Sequence, residues 1–146
     1  MVIAHAKPDL LAALEDLGQR MTGPRVRLAR YLETKPEAFS AEDVNTELPS
    51  VERATIYRTL KLLVEAGALC KTAMPDGSPL YKVDYAVHHH HIVCTLCGKV
   101  DEFRHPAVER TFRAMRKEIP GEIVGHRLEV FVICVNCKTA RDRASA

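Results

Sequence analysis

Two pairs of cysteines, each with two residues between its members, constrain this chain more than any other feature of its sequence. The pairs are Cys94-Thr-Leu-Cys97 and Cys134-Val-Asn-Cys137, and the 36 residues 98–133 separate them. Two thiolates at this spacing on a tight turn can hold one side of a tetrahedral zinc ion, and two such turns complete a Cys₄ site. Because the gap between the pairs is long, a structural zinc site requires a strand, helix, strand excursion inside it.

Paired cysteines also have other uses. A Cys-x-x-Cys pair is typical of thioredoxin-like redox proteins, and four cysteines can form two disulfides. A redox motif does not usually come duplicated, however, and Gly98 directly after Cys97 suits a tight metal-binding turn. Zinc deaminases need His-x-Glu and Pro-Cys-x-x-Cys, and the sequence contains neither. The favoured interpretation is one structural Zn²⁺ on Cys94, Cys97, Cys134 and Cys137.

The composition is typical of a folded cytoplasmic protein. The chain has 146 residues, of which 47% are hydrophobic, so one ordinary domain or two small ones can bury a core. Its longest apolar runs, such as 130–135, are far shorter than the roughly 18 residues of a membrane helix, and its N-terminus lacks the pattern of an export signal. We therefore expect a cytoplasmic protein without membrane contact, in which cysteine pairs bind metal before they form disulfides.

The net charge does not indicate a nucleic-acid partner, but the arrangement of the basic residues does. The formal charge is only +2, from 21 Lys and Arg against 19 Asp and Glu. Two groups of basic residues contain no acidic residue: Arg20, Arg25, Arg27 and Arg30, and then Arg53, Arg58 and Lys61. Each group is either an ordinary solvated helix face or a surface that meets DNA.

Residues 1–83 are predicted to form a winged helix-turn-helix domain. Apolar residues at helical spacing, capping hydroxyls and terminating Gly or Pro residues predict helices over 10–17, 22–35, 40–48 and 52–66. The apolar residues expected to face inward are Val26, Ala29 and Leu32 in the second helix and Ile56, Leu60 and Leu63 in the fourth. Two short strands, 68–73 and 79–83, joined through Asp76-Gly77, complete the domain as its wing.

The fourth helix is the predicted recognition helix, because the last helix of such a domain enters the major groove. Tyr57 can contact thymine methyl groups, and Arg58 can read guanine or hold phosphate. Arg53, Thr55 and Lys61 are expected to contact the DNA backbone, which positions the protein without reading sequence.

After a hinge at 84–88, residues 89–146 are predicted to form a small α/β domain, so the fold class of the whole chain is α+β. Predicted strands cover 89–94, 100–103 and 123–134, with a helix over about 106–118 between the last two. The last strand carries apolar residues on both faces near its end, Val132 on one and Ile133 on the other. Burial on both faces predicts a subunit interface.

Four consecutive histidines, residues 88–91, precede Cys94. Side chains alternate along a strand, so His89 and His91 share one face while His88 and His90 share the other. One strand can therefore serve two metal ions. A histidine tract is also typical of an expression artefact or a solvated run, but its internal position beside a Cys-x-x-Cys pair argues against both.

These motifs resemble the ferric-uptake-regulator family of metal-dependent repressors. The segment His-His-His-His-x-x-Cys-x-x-Cys-Gly-Lys-x-x-Glu-Phe, ending at Phe103, carries the resemblance, with further agreement at 18–25, 40–43, 54–60, 126–129 and 134–137. The resemblance covers about residues 10–137 and implies a homodimer. Its winged helix would bind double-stranded operator DNA, with Arg20 in the narrow minor groove, and its C-terminal domain would dimerise and sense metal.

The resemblance also implies a regulatory metal site. Iron and peroxide sensors usually have a His just before the Ser-Ala-Glu-Asp segment and an acid after the wing's last aromatic residue, but here these positions are Ala38 and Lys82. Zinc-uptake regulators use four other positions, which here are Cys70, Asp84, His89 and His91. Relative to that branch, the Cys and the acid are exchanged. One thiolate, one carboxylate and two imidazoles suit Zn²⁺, although Cys70 could also be a small buried apolar residue.

The same resemblance implies one further metal site and one further possible ligand. An accessory site would consist of His88, His90, Glu109 and His126. Glu102 matches an acid that joins the sensory site in some branches of the family.

The function expected from the sequence is a zinc-responsive repressor of metal-uptake genes, with no small-molecule substrate other than metal ions. The alternatives within the family are sensors of iron, manganese, nickel or peroxide, with Fe²⁺ or Mn²⁺ at the regulatory site. A zinc-dependent hydrolase would need a general base near an open metal position, and the sequence offers no base in a known motif.

Overall fold

The computed structural model describes residues 8–84 and 89–146. Four helices and a hairpin make up the N-terminal half, and three strands with two helices make up the C-terminal half. In chain order the elements are α1 (Leu10–Asp16), α2 (Gly23–Glu33), α3 (Ala41–Glu47), α4 (Arg53–Glu65), β1 (Leu69–Ala73), β2 (Pro79–Val83), β3 (His90–Cys94), β4 (Val100–Phe103), α5 (Pro106–Met115), β5 (Glu129–Val132) and α6 (Val135–Ala144).

Local side chains determine where the N-terminal helices begin. The Thr22 hydroxyl accepts a hydrogen bond from the Arg25 amide at the start of α2. At α3, the Ser40 hydroxyl accepts from the Asp43 amide at 3.1 Å while the Asp43 carboxylate accepts from the Ser40 amide at 2.8 Å. This reciprocal pair satisfies two backbone donors that a helix otherwise leaves open. The capping hydroxyl expected at the start of this helix is therefore confirmed, and Asp43 completes a capping box.

The main cluster of buried apolar residues lies entirely in the N-terminal half of the described chain, whereas the C-terminal sheet buries only a few apolar residues, Val93, Cys94 and Val100. The buried members of the core cluster are Leu10, Leu14, Leu28, Ala29, Leu32, Phe39, Ala41, Val44, Val51, Ile56, Leu60, Leu63, Ala68, Leu69, Tyr81 and Val83. The predicted inward residues of α4 are confirmed. In α2 the prediction for Val26 was wrong, because Leu28 takes the inward position beside Ala29 and Val26 is only half-buried.

The wing is an antiparallel hairpin fastened to the helices at its outer strand. Cys70 in β1 lies opposite Lys82 in β2. Backbone hydrogen bonds of 2.9 and 2.8 Å join Phe39 to Tyr81, and the two rings stack with centroids 6.1 Å apart. The position of the wing against the core is therefore fixed by backbone bonds and by aromatic packing.

The C-terminal sheet has three strands in the order β4-β3-β5. The central strand β3 runs antiparallel to β4 and parallel to β5, so His91 lies between Glu102 on one side and Glu129 on the other. The predicted strand over 123–134 was too long, since only 129–132 are paired. In the described chain its sheet neighbour is β3, which has five residues, and the register joins only four residues of each strand.

The C-terminal half leaves much of its apolar surface uncovered. Within the described chain, neither α5 nor α6 has a buried residue, and Val130 and Phe131, on opposite faces of β5, are 40% and 44% exposed. Exposed apolar patches of this kind mark interaction surfaces. None of the described helices is long and apolar enough to cross a membrane.

Candidate metal and DNA-binding sites

The structure brings together the four cysteines of the two Cys-x-x-Cys pairs. Their four sulfur atoms all lie within 4.8 Å of one another, and none forms a disulfide. The residues are Cys94, Cys97, Cys134 and Cys137. The sulfurs of Cys97 and Cys134 are 3.9 Å apart. Four thiols at this separation match the donor set of a structural zinc site.

Backbone amides favour the thiolate form of Cys94, whereas hydrogen bonds with neighbouring cysteines raise the pKa of Cys137 to about 12. The Cys134 amide donates to the Cys94 sulfur at 3.4 Å. Burial by itself would raise the pKa of Cys94, but hydrogen bonds from the amides of Cys134 and Cys97 lower that pKa to about 6. Gly98, with φ of +73°, permits the tight turn after the first pair. The thiolate is the form that binds metal, so this lowered pKa suits a metal site.

A second cluster joins the two halves of the chain. It consists of Cys70, His89 and His91, whose donor atoms all lie within 4.8 Å of one another. His89 Nε2 is 3.2 Å from the sulfur of Cys70 and 3.2 Å from Nε2 of His91. Cys70 belongs to β1 of the wing and His91 to β3 of the C-terminal sheet, so this cluster spans the boundary between the halves.

The surroundings of this cluster oppose charge on its members. Burial, followed by the charges of Asp84 and Glu102, raises the pKa of Cys70 to about 12. Burial and the neighbouring His89 lower the pKa of His91 to about 4. The His91 imidazole is therefore neutral near pH 7 and offers a lone pair, while a cation would be needed to stabilise the Cys70 thiolate. Both properties fit a divalent metal ion.

Asp84, the fourth predicted ligand of this site, is buried but is not one of the three grouped residues. Its negative charge contributes to the raised pKa of the Cys70 thiol. Glu102 is likewise outside the group and forms an ion pair with Lys82.

A third cluster lies within the C-terminal half. Donor atoms of His90, Glu109 and His126 come within 4.8 Å of one another, with His90 Nε2 2.9 Å from a Glu109 carboxylate oxygen. The ring of Phe112 stacks on that of His126 with centroids 3.8 Å apart. His88, the fourth residue predicted for this site, lies outside the described residues.

The predicted DNA-contact residues lie at the surface of the N-terminal half. Tyr57, Arg58 and Lys61 are exposed on α4, Thr55 is half-buried, and Arg20 is exposed between α1 and α2. Arg25, Arg58 and Lys61 line an open cavity of about 320 Å³. One residue of the first basic group, Arg25, thus lies near two residues of the second group, around a cavity that Glu65 also lines.

Sequence reasoning missed one residue of this surface, Glu42 of α3. Its carboxylate accepts hydrogen bonds from the Tyr57 hydroxyl at 2.9 Å and from the Arg53 guanidinium at 3.1 Å. Arg53 and Tyr57 also contact each other at 3.3 Å. Ten residues separate Glu42 from Arg53, so no local pattern in the sequence could have indicated this contact. Two predicted DNA contacts are therefore held by an acid that competes with phosphate.

We expect Glu42→Gln to raise the affinity for any DNA duplex by a few fold, because it removes a negative charge and frees Arg53 for a phosphate. Fluorescence anisotropy titrations at several salt concentrations would measure both the affinity and the salt slope. Glu37→Gln, which removes the same charge from an exposed position outside α3 and α4, is the matched control. Equal gains in the two variants would contradict a specific role for Glu42.

Comparisons with known proteins agree on one family. The model of the ferric uptake regulator family matches residues 16–131. The ferric uptake regulation protein of Neisseria meningitidis serogroup A is 36% identical over 138 residues, 91% of this chain and 96% of the relative. The peroxide-responsive repressor PerR of Staphylococcus aureus is 27% identical over 141 residues, which are 93% of this chain and 94% of that relative. An iron-containing ferric uptake regulator structure from Francisella tularensis has a TM-score of 0.70 at 27% identity, covering 83% of this chain and 96% of that one.

Proposed function

This chain belongs to the ferric uptake regulator family, whose members are metal-responsive transcriptional regulators and not enzymes, and we propose that it represses metal-uptake genes in response to zinc. The observation that carries the zinc assignment is the donor set of the cluster between the two halves. That cluster offers one sulfur and two imidazole nitrogens within 4.8 Å. Zn²⁺ favours such donors, whereas Mn²⁺ favours oxygen.

The response depends on where the ligands lie. Cys70, His89 and His91 would hold a metal ion, and its bonds to them would join the wing to the C-terminal sheet. Asp84, buried beside Cys70 in the hinge between the halves, is the proposed fourth ligand. Cys70 lies five residues after the end of α4, so restraint of Cys70 restrains the recognition helix. Binding energy is thereby converted into a population shift towards the DNA-binding arrangement.

The proposed DNA complex is that of a homodimer on operator DNA. The uncovered apolar faces of β5 supply the subunit interface, and each α4 enters a major groove, where Tyr57 and Arg58 contact bases. Arg53, Thr55 and Lys61 contact backbone phosphates, and Arg20 enters the minor groove. In this assignment residues 1–83 bind DNA, 84–88 act as the hinge, and 89–146 dimerise and bind metal.

The two remaining clusters have supporting roles in this proposal. Cys94, Cys97, Cys134 and Cys137 hold a structural Zn²⁺, because four thiols favour that ion and leave no open position for regulation. The accessory site, with His88 added to His90, Glu109 and His126, links α5 to the sheet within the C-terminal half.

The test is operator binding by dimer stripped of labile metal and then titrated with buffered Zn²⁺, Fe²⁺ or Mn²⁺. We expect Zn²⁺ to raise the affinity by about 5–150-fold, the usual range of allosteric coupling. Cys70→Ala and Asp84→Asn should abolish this gain, while Asp76→Asn, in the exposed turn of the wing, should retain it. A gain unaffected by Cys70→Ala would contradict the assignment of the regulatory site.

The second candidate is an iron or manganese sensor. Two observations favour it: the 36% identical relative is a ferric uptake regulation protein, and two carboxylates, Glu102 and Glu129, flank His91 in the sheet. In the same titration, operator binding restored by Fe²⁺ or Mn²⁺ and not by Zn²⁺ would establish this candidate in place of the first.

A further inference from the structure

An ion pair between Lys82 and Glu102 lies beside the cluster of Cys70, His89 and His91. The ammonium nitrogen of Lys82 is 3.1 Å from one carboxylate oxygen of Glu102 and 3.2 Å from the other. The two side chains are only 20% and 4% exposed. Lys82 also donates to the backbone oxygen of Val100 at 3.1 Å, so the ammonium makes two hydrogen bonds and one further charge contact.

The strand register places this ion pair directly against the cluster. Lys82 is the cross-strand partner of Cys70, and Glu102 is the cross-strand partner of His91. Directly opposed residues of antiparallel strands carry their side chains on the same face at close range. The charges of Glu102 and Lys82 are both felt at the Cys70 thiol. Glu102 is therefore a carboxylate that could join the metal site if nothing held it away.

An additional carboxylate would change the chemistry of the site. Cys70, His89 and His91 supply sulfur and nitrogen, which suit Zn²⁺ at low coordination number. Oxygen donors and higher coordination numbers suit Mn²⁺. An ammonium near the cluster opposes that change in two ways, because it engages both oxygens of Glu102 and because its positive charge repels any ion that approaches them.

We propose that Lys82 determines the metal specificity of the regulatory site by holding Glu102 in an ion pair, which keeps an oxygen ligand out of the site and favours Zn²⁺ over Mn²⁺ and Fe²⁺. This inference rests on the proposed function, since it concerns the same site. Lys82 is a positioning residue in this scheme. It also joins β2 to β4, so the wing and the C-terminal sheet are linked before any metal binds.

The test compares metal preference in Lys82→Met, which keeps the length of the side chain and removes its charge. We expect the ratio of Mn²⁺ to Zn²⁺ dissociation constants to fall by about tenfold or more. With Co²⁺ as a spectroscopic substitute, the visible absorption typical of four-coordinate cobalt should weaken as Glu102 adds an oxygen. Lys99→Met, which removes an exposed lysine paired with Asp101 in the same sheet, is the matched control and should leave both readouts unchanged.

Further variants separate the ion pair from a general effect on folding. Lys82→Arg should retain the wild-type ratio, and Lys82→Met combined with Glu102→Gln should restore it, because the freed ligand is then missing. Glu102→Gln alone should leave Zn²⁺ affinity within about twofold. If Lys82→Met does not fold, Glu102→Gln alone tests the inference. A tenfold loss of Zn²⁺ affinity in Glu102→Gln would show that Glu102 is a ligand and would overturn the inference.

The outcomes also distinguish this inference from the proposed function. An unchanged metal ratio and cobalt spectrum in folded Lys82→Met, with Zn²⁺ still bound at Cys70, would overturn the role of Lys82 alone. A metal content that Cys70→Ala does not alter would overturn both, because the site itself would then be misplaced.

Discussion

Loss of the Zn²⁺ proposed for the four-cysteine cluster is expected to unfold the C-terminal half of the chain while the N-terminal half stays folded. The reason is the uneven distribution of the core, since all residues of the described core cluster lie between 10 and 83. The C-terminal half instead has a three-stranded sheet and two helices without buried residues in the described chain. Structural zinc sites in small domains contribute an apparent binding free energy of about 10–16 kcal/mol, which is folding free energy.

Cys137→Ser tests this expectation with little disturbance of packing, because Cys137 lies on α6 outside the apolar core. Amide hydrogen exchange should show loss of protection in β3, β4 and β5 but retained protection in α2 and α4. Cys70→Ala, which removes the one cysteine outside the four-sulfur cluster, is the control and should keep the C-terminal half protected. Full protection in Cys137→Ser would contradict a structural role for the ion.

The second large effect is expected from Arg58→Ala, which should weaken operator binding by about 1–3 kcal/mol per subunit, the range for a good contact with a base. Arg58 is exposed on α4 and lines the same open cavity as Arg25 and Lys61. Its removal therefore takes a guanidinium from the exposed face of the proposed recognition helix. Anisotropy titrations with operator and with a scrambled duplex, at one fixed salt concentration, would measure affinity and specificity together.

Arg30→Ala is the matched control for this experiment, because it removes the same charge from a different surface. Arg30 is exposed and lies near Asp9 and Glu33 at the α1 side of the domain. We expect it to change operator affinity by less than about twofold. If Arg58→Ala weakens operator and scrambled DNA equally, Arg58 holds phosphate and does not read bases.

Much of the N-terminal fold could be predicted because its signals are local. The capping box at Ser40 and Asp43 and the apolar stripe of α4 act within one or two helical turns. The length of β5 could not be predicted in this way, since it depends on how far β3 extends beside it. The helix α6 was not anticipated either, because its ten residues have no apolar stripe.

In the candidate sites too, local features could be predicted from the sequence and contacts between separate elements could not. Sequence spacing indicated the four-cysteine cluster and the alternation that sends His91 and His90 to different clusters. It could not indicate that Glu42 holds Arg53 and Tyr57, or that Lys82 holds Glu102, because these contacts join residues on separate elements. Such pairings depend on how helices and strands pack, which the spacing of residues within one element does not encode.

The confinement of the core to residues 10–83 has an evolutionary consequence. In the proposed function, His89 and His91 belong to a metal site that lies outside that core cluster, so substitutions there can change the metal preference without loss of the folded DNA-binding half. Selection on the sensed ion and selection on the operator can then proceed almost independently. A lineage with this architecture can duplicate one regulator and divide the copies among different metals while both still recognise DNA by the same helix.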